Sequence, residues 1–225
     1  MKRILFDIET DGLLPDLTKV HSLVLLDMDT EEVLSCADQE GYTSIADGMS
    51  YLENAERLAG HNIQGFDFAA LHKLFGFEYE GEIHDTLIMS RLVWSDLKNN
   101  DFEYIKKPRG ANFPRQLIGS HSLKAWGLRL GNHKDGYSDG WEEWSEAMQT
   151  YCVQDCRANL TFYKFIMSKK PTPQSIKLEH DFAHVIRKQE AHGFHFDEVK
   201  AHKLLATLQG RQAELNDELQ VAFKP

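Results

Sequence analysis

Alternating and clustered hydrophobic residues in the N-terminal part of the chain predict β-strands. The predicted strands cover residues 2–9, 21–28 and 31–36, residues 57–62 predict a short strand that runs into a turn, and a further short strand lies near Ile83. Asp29-Thr30 lies between the second and third of them and predicts a hairpin turn. We therefore expect a sheet that begins with antiparallel strands.

Apolar residues that recur every three or four positions predict helices between and after the strands. The periodic segments cover residues 44–56, 66–75, 124–130, 141–167 and 175–192, with one helix beginning at Asp85-Thr86 and a last one capped by Asp197. Residues 96–120 hold two prolines and two glycines among polar residues and predict a long loop. This order of elements is typical of an α/β fold with a mixed sheet. Pro171 and Pro173 predict a boundary between a first domain, residues 1–170, and a helical extension, residues 171–225.

The composition is that of a globular protein, with 42% hydrophobic and 27% charged residues among 225. The chain has no run of about 18 apolar residues, so we expect no membrane span. The N-terminus carries an acid at position 7 and does not resemble a signal peptide. Three cysteines, Cys36, Cys152 and Cys156, do not make a disulfide framework, which favours the reducing cytoplasm and core or surface thiols.

Charge is unevenly distributed along this acidic chain, whose net charge is −10. The net charge argues against a protein that simply coats nucleic acid, but residues 98–134 hold eight basic and only two acidic side chains. Such a tract is either a solvated loop or a contact surface for a polyanion. Lys106, Lys107 and Arg109 are the candidate contacts within it.

Acidic residues stand at three points where they are candidates for chemistry. Asp7 and Glu9 point to the same face of the first predicted strand, and their repulsion favours a hard divalent cation between them. Read alone, this pair is more typical of an exposed acidic strand end. Asp67 follows a strand-to-helix junction, where an acid usually caps the helix. Asp155 shares a helix face with Tyr151, four residues earlier, and each of these signals is weak by itself.

The order Asp-x-Glu, then Asn-x-x-x-Phe-Asp, then Tyr-x-x-x-Asp resembles the DEDD superfamily of 3′–5′ exonucleases, in its tyrosine subgroup. The resemblance implies a ribonuclease H-like fold, with a mixed five-stranded sheet flanked by helices and a helical C-terminal extension. It also implies two divalent cations, Mg²⁺ or Mn²⁺, one held by Asp7, Glu9 and Asp155 and the other mainly by Asp7. Asp67 would act at this metal site through water or hydrogen bonds, and Tyr151 would orient the attacking water.

The same resemblance implies contacts with the substrate strand. Thr10 and Leu13 match positions that touch the terminal nucleotide in proofreading domains, where Leu13 would wedge against the last base. Asn62 and Phe66 match nearby contacts with the strand. Without the motif, Leu13 is as readily interpreted as a core residue.

Three further segments resemble the family A DNA polymerases of short-tailed phages. They are His84-Asp85-Thr86 with Ser90-Arg91-Leu92, residues 119–131 and residues 188–197. The last segment begins the polymerase domain in those proteins, and the thumb, palm and fingers have no counterpart in this sequence. The resemblance implies an exonuclease that proofreads phage DNA from single-stranded 3′ ends in the host cytoplasm. It leaves open whether the chain is a natural subunit of a split polymerase or an excised fragment.

Two other functions and one structural question stay open. Carboxylates do not distinguish DNA from RNA, so a 3′–5′ exoribonuclease is one alternative. A non-catalytic subunit that binds DNA or a polymerase is the other. The apolar helix faces of residues 175–222 either pack on the exonuclease core or dock a separate DNA polymerase chain or a second copy.

Overall fold

A computed structural model of the chain describes residues 1–131, 137 and 140–223. The strands within these residues are β1 (Arg3–Thr10), β2 (Val20–Asp27), β3 (Val33–Cys36), β4 (Arg57–Gly60) and β5 (Glu82–Asp85). They form one mixed sheet in the order β3-β2-β1-β4-β5. The central strand β1 pairs antiparallel with β2 and parallel with β4. The predicted mixed five-stranded sheet is confirmed.

Helices fall between the strands and after the last of them. They are α1 (Ile45–Glu53), α2 (Asp67–Phe75), α3 (Thr86–Val93), α4 (Leu97–Tyr104), α5 (Leu123–Leu130), α6 (Glu146–Ser168), α7 (Pro173–His192) and α8 (Glu198–Ala222). The side chains of Asp85, Ser122 and Asp197 accept backbone N–H groups at the starts of α3, α5 and α8, as N-caps do. Among the described residues, no helix is long and apolar enough to cross a membrane.

Side-chain alternation along β1 divides the core into two clusters. Ile4, Phe6 and Ile8 belong to the cluster that includes residues of α1 and α2. Leu5 belongs to the other cluster, which includes residues of α5 and α6. Because both faces of β1 are covered, a shift of one residue would exchange the two sets of side chains. The alternation therefore determines which helix the acidic residues of β1 meet.

The prediction of a long loop at residues 96–120 is wrong, because part of this segment forms α4. Of the eight residues of this described helix, only Leu97 and Asp101 are buried. Asp101 forms a buried ion pair with Arg129 of α5, with 2.6 Å between Oδ2 and Nη2. A helix anchored by one ion pair lacks the apolar stripe on which the prediction depended. The start of α6 was also predicted too early, since its N-cap is Ser145.

The chain divides into two compact units, Met1–Arg187 and the residues from Lys188 onward. In the first unit, α7 begins on the core, where Ile176 and His180 are buried. In the second unit, α8 buries none of its residues, all of which are described. Its leucines are 42–59% exposed, namely Leu204, Leu205, Leu208, Leu215 and Leu219. The domain boundary at residue 170 and a polymerase chain docked on residues 175–222 stay predictions.

His84 of β5 is a buried histidine at the edge of the sheet. Its Nδ1 lies 2.8 Å from the Tyr163 hydroxyl, and its Nε2 lies 3.0 Å from Glu82 Oε1. Burial, followed by the charge of Arg57, lowers the pKa of His84 from 6.5 to about 4, although Glu82 acts in the opposite direction. The folded protein therefore keeps this imidazole neutral at pH values where the unfolded chain protonates it.

We expect His84 to make the fold sensitive to acid. As the pH falls from 6.5 towards 4, the unfolded chain binds a proton at this residue that the folded chain does not, so stability is lost in this window. The loss attributable to His84 is up to about 3 kcal/mol. Free energies of unfolding from urea titrations at several pH values should show a shallower pH dependence for His84→Gln than for the wild type. His184→Gln, at an exposed histidine, should keep the wild-type slope, and equal slopes in all three proteins would refute the assignment.

Candidate active site

The two acidic residues of β1 face α6. Leu5 packs in the cluster that contains α6 residues, and alternation brings Asp7 and Glu9 to the same face. Cys152 of α6 lies against them, with its Sγ 3.4 Å from the Asp7 carbonyl oxygen and 3.7 Å from Asp7 Oδ2. One donor atom from each of Asp7, Glu9 and Cys152 lies within 4.8 Å of the other two. The predicted carboxylate pair therefore meets the helix that carries the third motif.

Asp155 reaches the same site from α6, one helical turn after Tyr151. It is buried, and its charge adds to those of Asp7 and Glu9 in raising the pKa of the Cys152 thiol, of which burial is the largest cause. Charges influence one another most strongly at short range inside a protein. Asp155 therefore acts on the same thiol as the pair on β1.

Asp67 completes the group as the first residue of α2. Its carboxylate accepts a hydrogen bond from the backbone N–H of Ile8, which lies between the two acids of β1. Burial, assisted by the negative charge of Asp85, raises the pKa of Asp67 to about 7. This carboxylate is therefore costly to ionise in the protein without a cation.

The four predicted carboxylates converge on one turn of α6. The pKa of the buried Cys156 thiol is raised first by burial and then by four neighbouring charges. These charges belong, in order of decreasing effect, to Asp7, Asp155, Asp67 and Glu9. Such a concentration of negative charge and hard oxygen donors fits a divalent cation of the Mg²⁺ or Mn²⁺ type. The side chains able to hold one are the acids of β1 and Asp155, with Asp67 beside them.

Tyr151 stands among aromatic residues that the motifs did not indicate. It is half-buried, and its ring centroid lies 5.7 Å from that of Tyr137 and 6.4 Å from that of Trp141. The carbonyl oxygen of Trp141 lies 3.1 Å from His21 Nε2 of β2, which ties this segment to the sheet. The density of aromatic residues between positions 137 and 151 is the sequence signal that could have indicated these ring contacts of Tyr151.

The loop after β1 presents Leu13 to solvent. Leu13 is 74% exposed, so it is not the core residue that the alternative interpretation required. Thr10 is buried, and its Oγ1 donates to the carbonyl oxygen of Gly12 at 2.8 Å, so this hydroxyl shapes the loop. Lys73 Nζ donates to three further carbonyl groups of the loop. An exposed leucine on a loop held in this way can contact the flat face of a base.

A turn held by Asp85 precedes Asp67. The Asp85 carboxylate accepts the backbone N–H groups of Asn62 at 2.9 Å and Gln64 at 3.0 Å, in addition to capping α3. Asn62 adopts a left-handed φ of 64°, which asparagine tolerates better than most residues. Phe66 is half-buried against the core at the start of α2. The sequence indicated the capping role of Asp85 but not its hydrogen bonds with the backbone of the turn.

The candidate basic contacts follow α4 on the surface. Lys106 pairs with Glu103 at 2.5 Å, and both side chains are exposed. Arg109 Nη2 donates to the carbonyl oxygen of Arg129 at 3.2 Å, and Lys107 is exposed. None of the contacts described for these three basic side chains joins them to the four carboxylates of the candidate site.

The basic tract at residues 98–134 is not uniform. Arg129 is buried in its ion pair with Asp101, so its charge is not available to a polyanion. Lys134 lies outside the described residues. The surface that could contact a polyanion is therefore smaller than the count of basic residues suggested.

Comparisons with known proteins cover most of the chain. A model of the RNase_H superfamily matches residues 4–167, which contain the four carboxylates and Tyr151. The DNA-directed DNA polymerases of Escherichia phage T7 and Enterobacteria phage T3 are each 29% identical to this chain, over 98% and 96% of it. The chain spans 37% and 36% of the lengths of these two relatives.

Solved structures share the fold. Brucella melitensis NrnC with bound Mg²⁺ superposes with a TM-score of 0.54 at 18% sequence identity, covering 88% of this chain and 90% of that one. The same Brucella protein is also known bound to pGG. At this level of identity the likeness supports the ribonuclease H-like architecture and nothing more specific.

Proposed function

Because the chain belongs to the RNase_H superfamily, we propose that it is a divalent-cation-dependent 3′–5′ exonuclease that removes nucleotides from the 3′ ends of single-stranded DNA. The observation that carries this proposal is that the two acids of β1 meet the helix of the third motif, with ligand atoms of Asp7, Glu9 and Cys152 within 4.8 Å of one another, while the charges of Asp67 and Asp155 act on the next turn of α6. The similarity to two phage DNA polymerases along at least 96% of the chain supports DNA as the substrate and proofreading as the role.

The side chains at the site have distinct tasks in this proposal. Two divalent cations, when bound, would supply an activated water and stabilise the leaving 3′-oxygen. Asp7, Glu9 and Asp155 would hold these cations, whose positive charge would offset the repulsion among the three carboxylates. Asp67 accepts the Ile8 N–H and so joins the start of α2 to β1. Tyr151 orients the attacking water with its hydroxyl, and the aromatic rings beside it limit access of other water.

Substrate contacts in the proposal come from the loops on either side of the carboxylates. Leu13 packs against the terminal base, and the backbone around Thr10 contacts the terminal nucleotide. Asn62 and Phe66 contact the strand from the turn before α2. These roles follow the family resemblance, and the exposure of Leu13 supports them.

A nuclease assay with 5′-labelled single-stranded DNA and Mg²⁺ tests the proposal. We expect a ladder of products shortened from the 3′ end, with no products in the presence of EDTA. A matched RNA oligonucleotide tests the 3′–5′ exoribonuclease alternative, and faster cleavage of RNA would replace DNA in the proposal. Internal cleavage, or no cleavage of either strand together with no binding of Mg²⁺ or Mn²⁺ by calorimetry, would favour a non-catalytic subunit.

The basic loop, which follows α4 and carries Lys106, Lys107 and Arg109, is expected to contribute to the binding of single-stranded DNA. Charge reversal by Lys106→Glu, Lys107→Glu and Arg109→Glu should weaken binding about tenfold or more at low salt, and the difference should shrink at high salt, because phosphate contacts release counterions. Fluorescence anisotropy in EDTA over a salt series measures both effects.

The same change of charge on α8 should have a much smaller effect and serves as the control. The control substitutions are Lys200→Glu, Lys203→Glu and Arg211→Glu. Equal affinities and salt slopes in both variants would identify the loop as merely solvated.

A further inference from the structure

The turn before α2 is contacted by an arginine from a distant helix. Arg187 of α7 places Nη1 3.1 Å from the carbonyl oxygen of Gly65 and Nη2 3.3 Å from Asn62 Oδ1. The same helix is joined to the turn by a second route, because His180 Nε2 accepts the backbone N–H of Asp85 at 2.7 Å. The carboxylate of Asp85 in turn holds the backbone of Asn62. The turn is thus held from two sides, by β5 and by α7.

Glycine at position 65 allows the arginine to approach. A Cβ built at this position would lie 2.2 Å from Arg187 Nη2 and 2.2 Å from Asn62 Oδ1. Because real Cβ atoms do not approach other heavy atoms so closely, any other residue would displace the Arg187 guanidinium, the Asn62 amide or both. The backbone of the turn is therefore adapted to this contact.

Arg187 determines which end of the Asn62 amide faces the surroundings. A guanidinium only donates hydrogen bonds, so the atom of Asn62 that faces it must be the acceptor Oδ1. The two N–H groups of Nδ2 then point away from Arg187. Asn62 lines an open cleft together with Arg91 and His121, whose side chains can also donate hydrogen bonds. A wall of donors matches the oxygen acceptors of a nucleic-acid backbone.

We propose that Arg187 is a positioning residue that holds the Asn62 amide so that Nδ2 donates to a phosphate or sugar oxygen of the substrate strand. This inference rests on the proposed function. It also makes α7, which the sequence assigned to the C-terminal extension, a necessary part of the substrate site. Arg187 acts through Asn62 and Gly65, and it does not itself contact the reacting atoms.

A double-mutant cycle on the full chain tests whether Arg187 acts through Asn62. Cleavage of 5′-labelled single-stranded DNA gives kcat and KM, and anisotropy in EDTA gives Kd for the same DNA. Arg187→Ala and Asn62→Ala should each raise KM and Kd about tenfold, with a smaller change in kcat. The double variant should bind no more weakly than Asn62→Ala alone, because both substitutions remove the same interaction. Arg187→Lys should recover part of the loss, since one ammonium group can reach one of the two acceptors.

Further variants separate positioning from folding. Gly65→Ala should reproduce the effect of Arg187→Ala. Lys188 follows Arg187 in α7 and is exposed, so Lys188→Ala should match the wild type. Melting temperatures show whether each variant is folded. If the wild type is active and the loss in the double variant is the product of the losses in the two single variants, this inference is wrong and the proposed function stands. A wild type that neither cleaves nor binds DNA contradicts the proposed function, and the inference with it.

Discussion

Replacement of Asp7 by alanine is expected to slow nucleotide release from single-stranded DNA by about 10²–10³-fold or more. Asp7 is the acid of β1 that contacts α6, with its Oδ2 3.7 Å from Cys152 Sγ, and it belongs with Glu9 to the group whose ligand atoms lie within 4.8 Å of one another. Its removal leaves the remaining carboxylates without their shared neighbour on β1. Single-turnover cleavage of 5′-labelled DNA at saturating Mg²⁺ measures the loss.

Metal binding provides a readout for Asp7 that does not depend on activity. Mg²⁺ or Mn²⁺ should raise the melting temperature of the wild type, because a ligand of the folded state stabilises it. Asp7→Ala should lose most of this increase without a lower melting temperature in EDTA, since the substitution also removes a repulsive charge. Asp217→Ala, at an exposed acid of α8, should keep both the increase and the activity. A near-normal rate in Asp7→Ala would remove this residue from the mechanism.

Replacement of Asp101 by alanine is expected to lower the free energy of unfolding by about 3–5 kcal/mol. The side chains of Asp101 and Arg129 are 2% and 8% exposed, and Arg129 Nε and Nη2 donate to the two carboxylate oxygens at 2.8 and 2.6 Å. The guanidinium also donates to two carbonyl groups and lies over two aromatic rings. Because these contacts hold it in place, the substitution leaves a buried charge without its counterion.

Glu103→Ala on the same helix is the matched control for this prediction. Glu103 pairs with Lys106, and each side chain is 67% exposed, so the loss of this pair should cost about 1 kcal/mol or less. Urea titrations at neutral pH measure both variants. Similar values for the two substitutions would show that the Asp101–Arg129 pair does not anchor α4.

Local pattern predicted most of the fold, for reasons visible in single elements. Alternation along β1 sends Leu5 to one side of the sheet and Phe6 to the other, and this depends only on strand geometry. Helix starts at Asp85 and Asp197 were predictable because a cap bonds a backbone group two or three residues away. The helix α4 was missed because its anchor, Asp101, bonds to Arg129, 28 positions later.

The candidate site was predictable only in part. The resemblance to a known family named Asp7, Glu9, Asp67, Tyr151 and Asp155. Spacing alone could not have joined them, because they lie on three elements that meet only in the folded chain. The sequence favours core or surface thiols for the two cysteines of α6, and it holds no local signal that the charges of the carboxylates act on both.

By itself, the sequence determined most of the element types and the face to which each strand residue points, and its resemblance to a known family indicated the acids of the motif. Only the tertiary structure determined the burial and the contact partners of residues that look alike in the sequence. Lys106 and Arg129 are both basic residues of one tract, but Lys106 is exposed whereas Arg129 is buried. Arg187 contacts residues 122 and 125 positions away. The physical reason is that local periodicity determines where a side chain points, whereas its charge state, partner and role depend on what the rest of the chain packs against it.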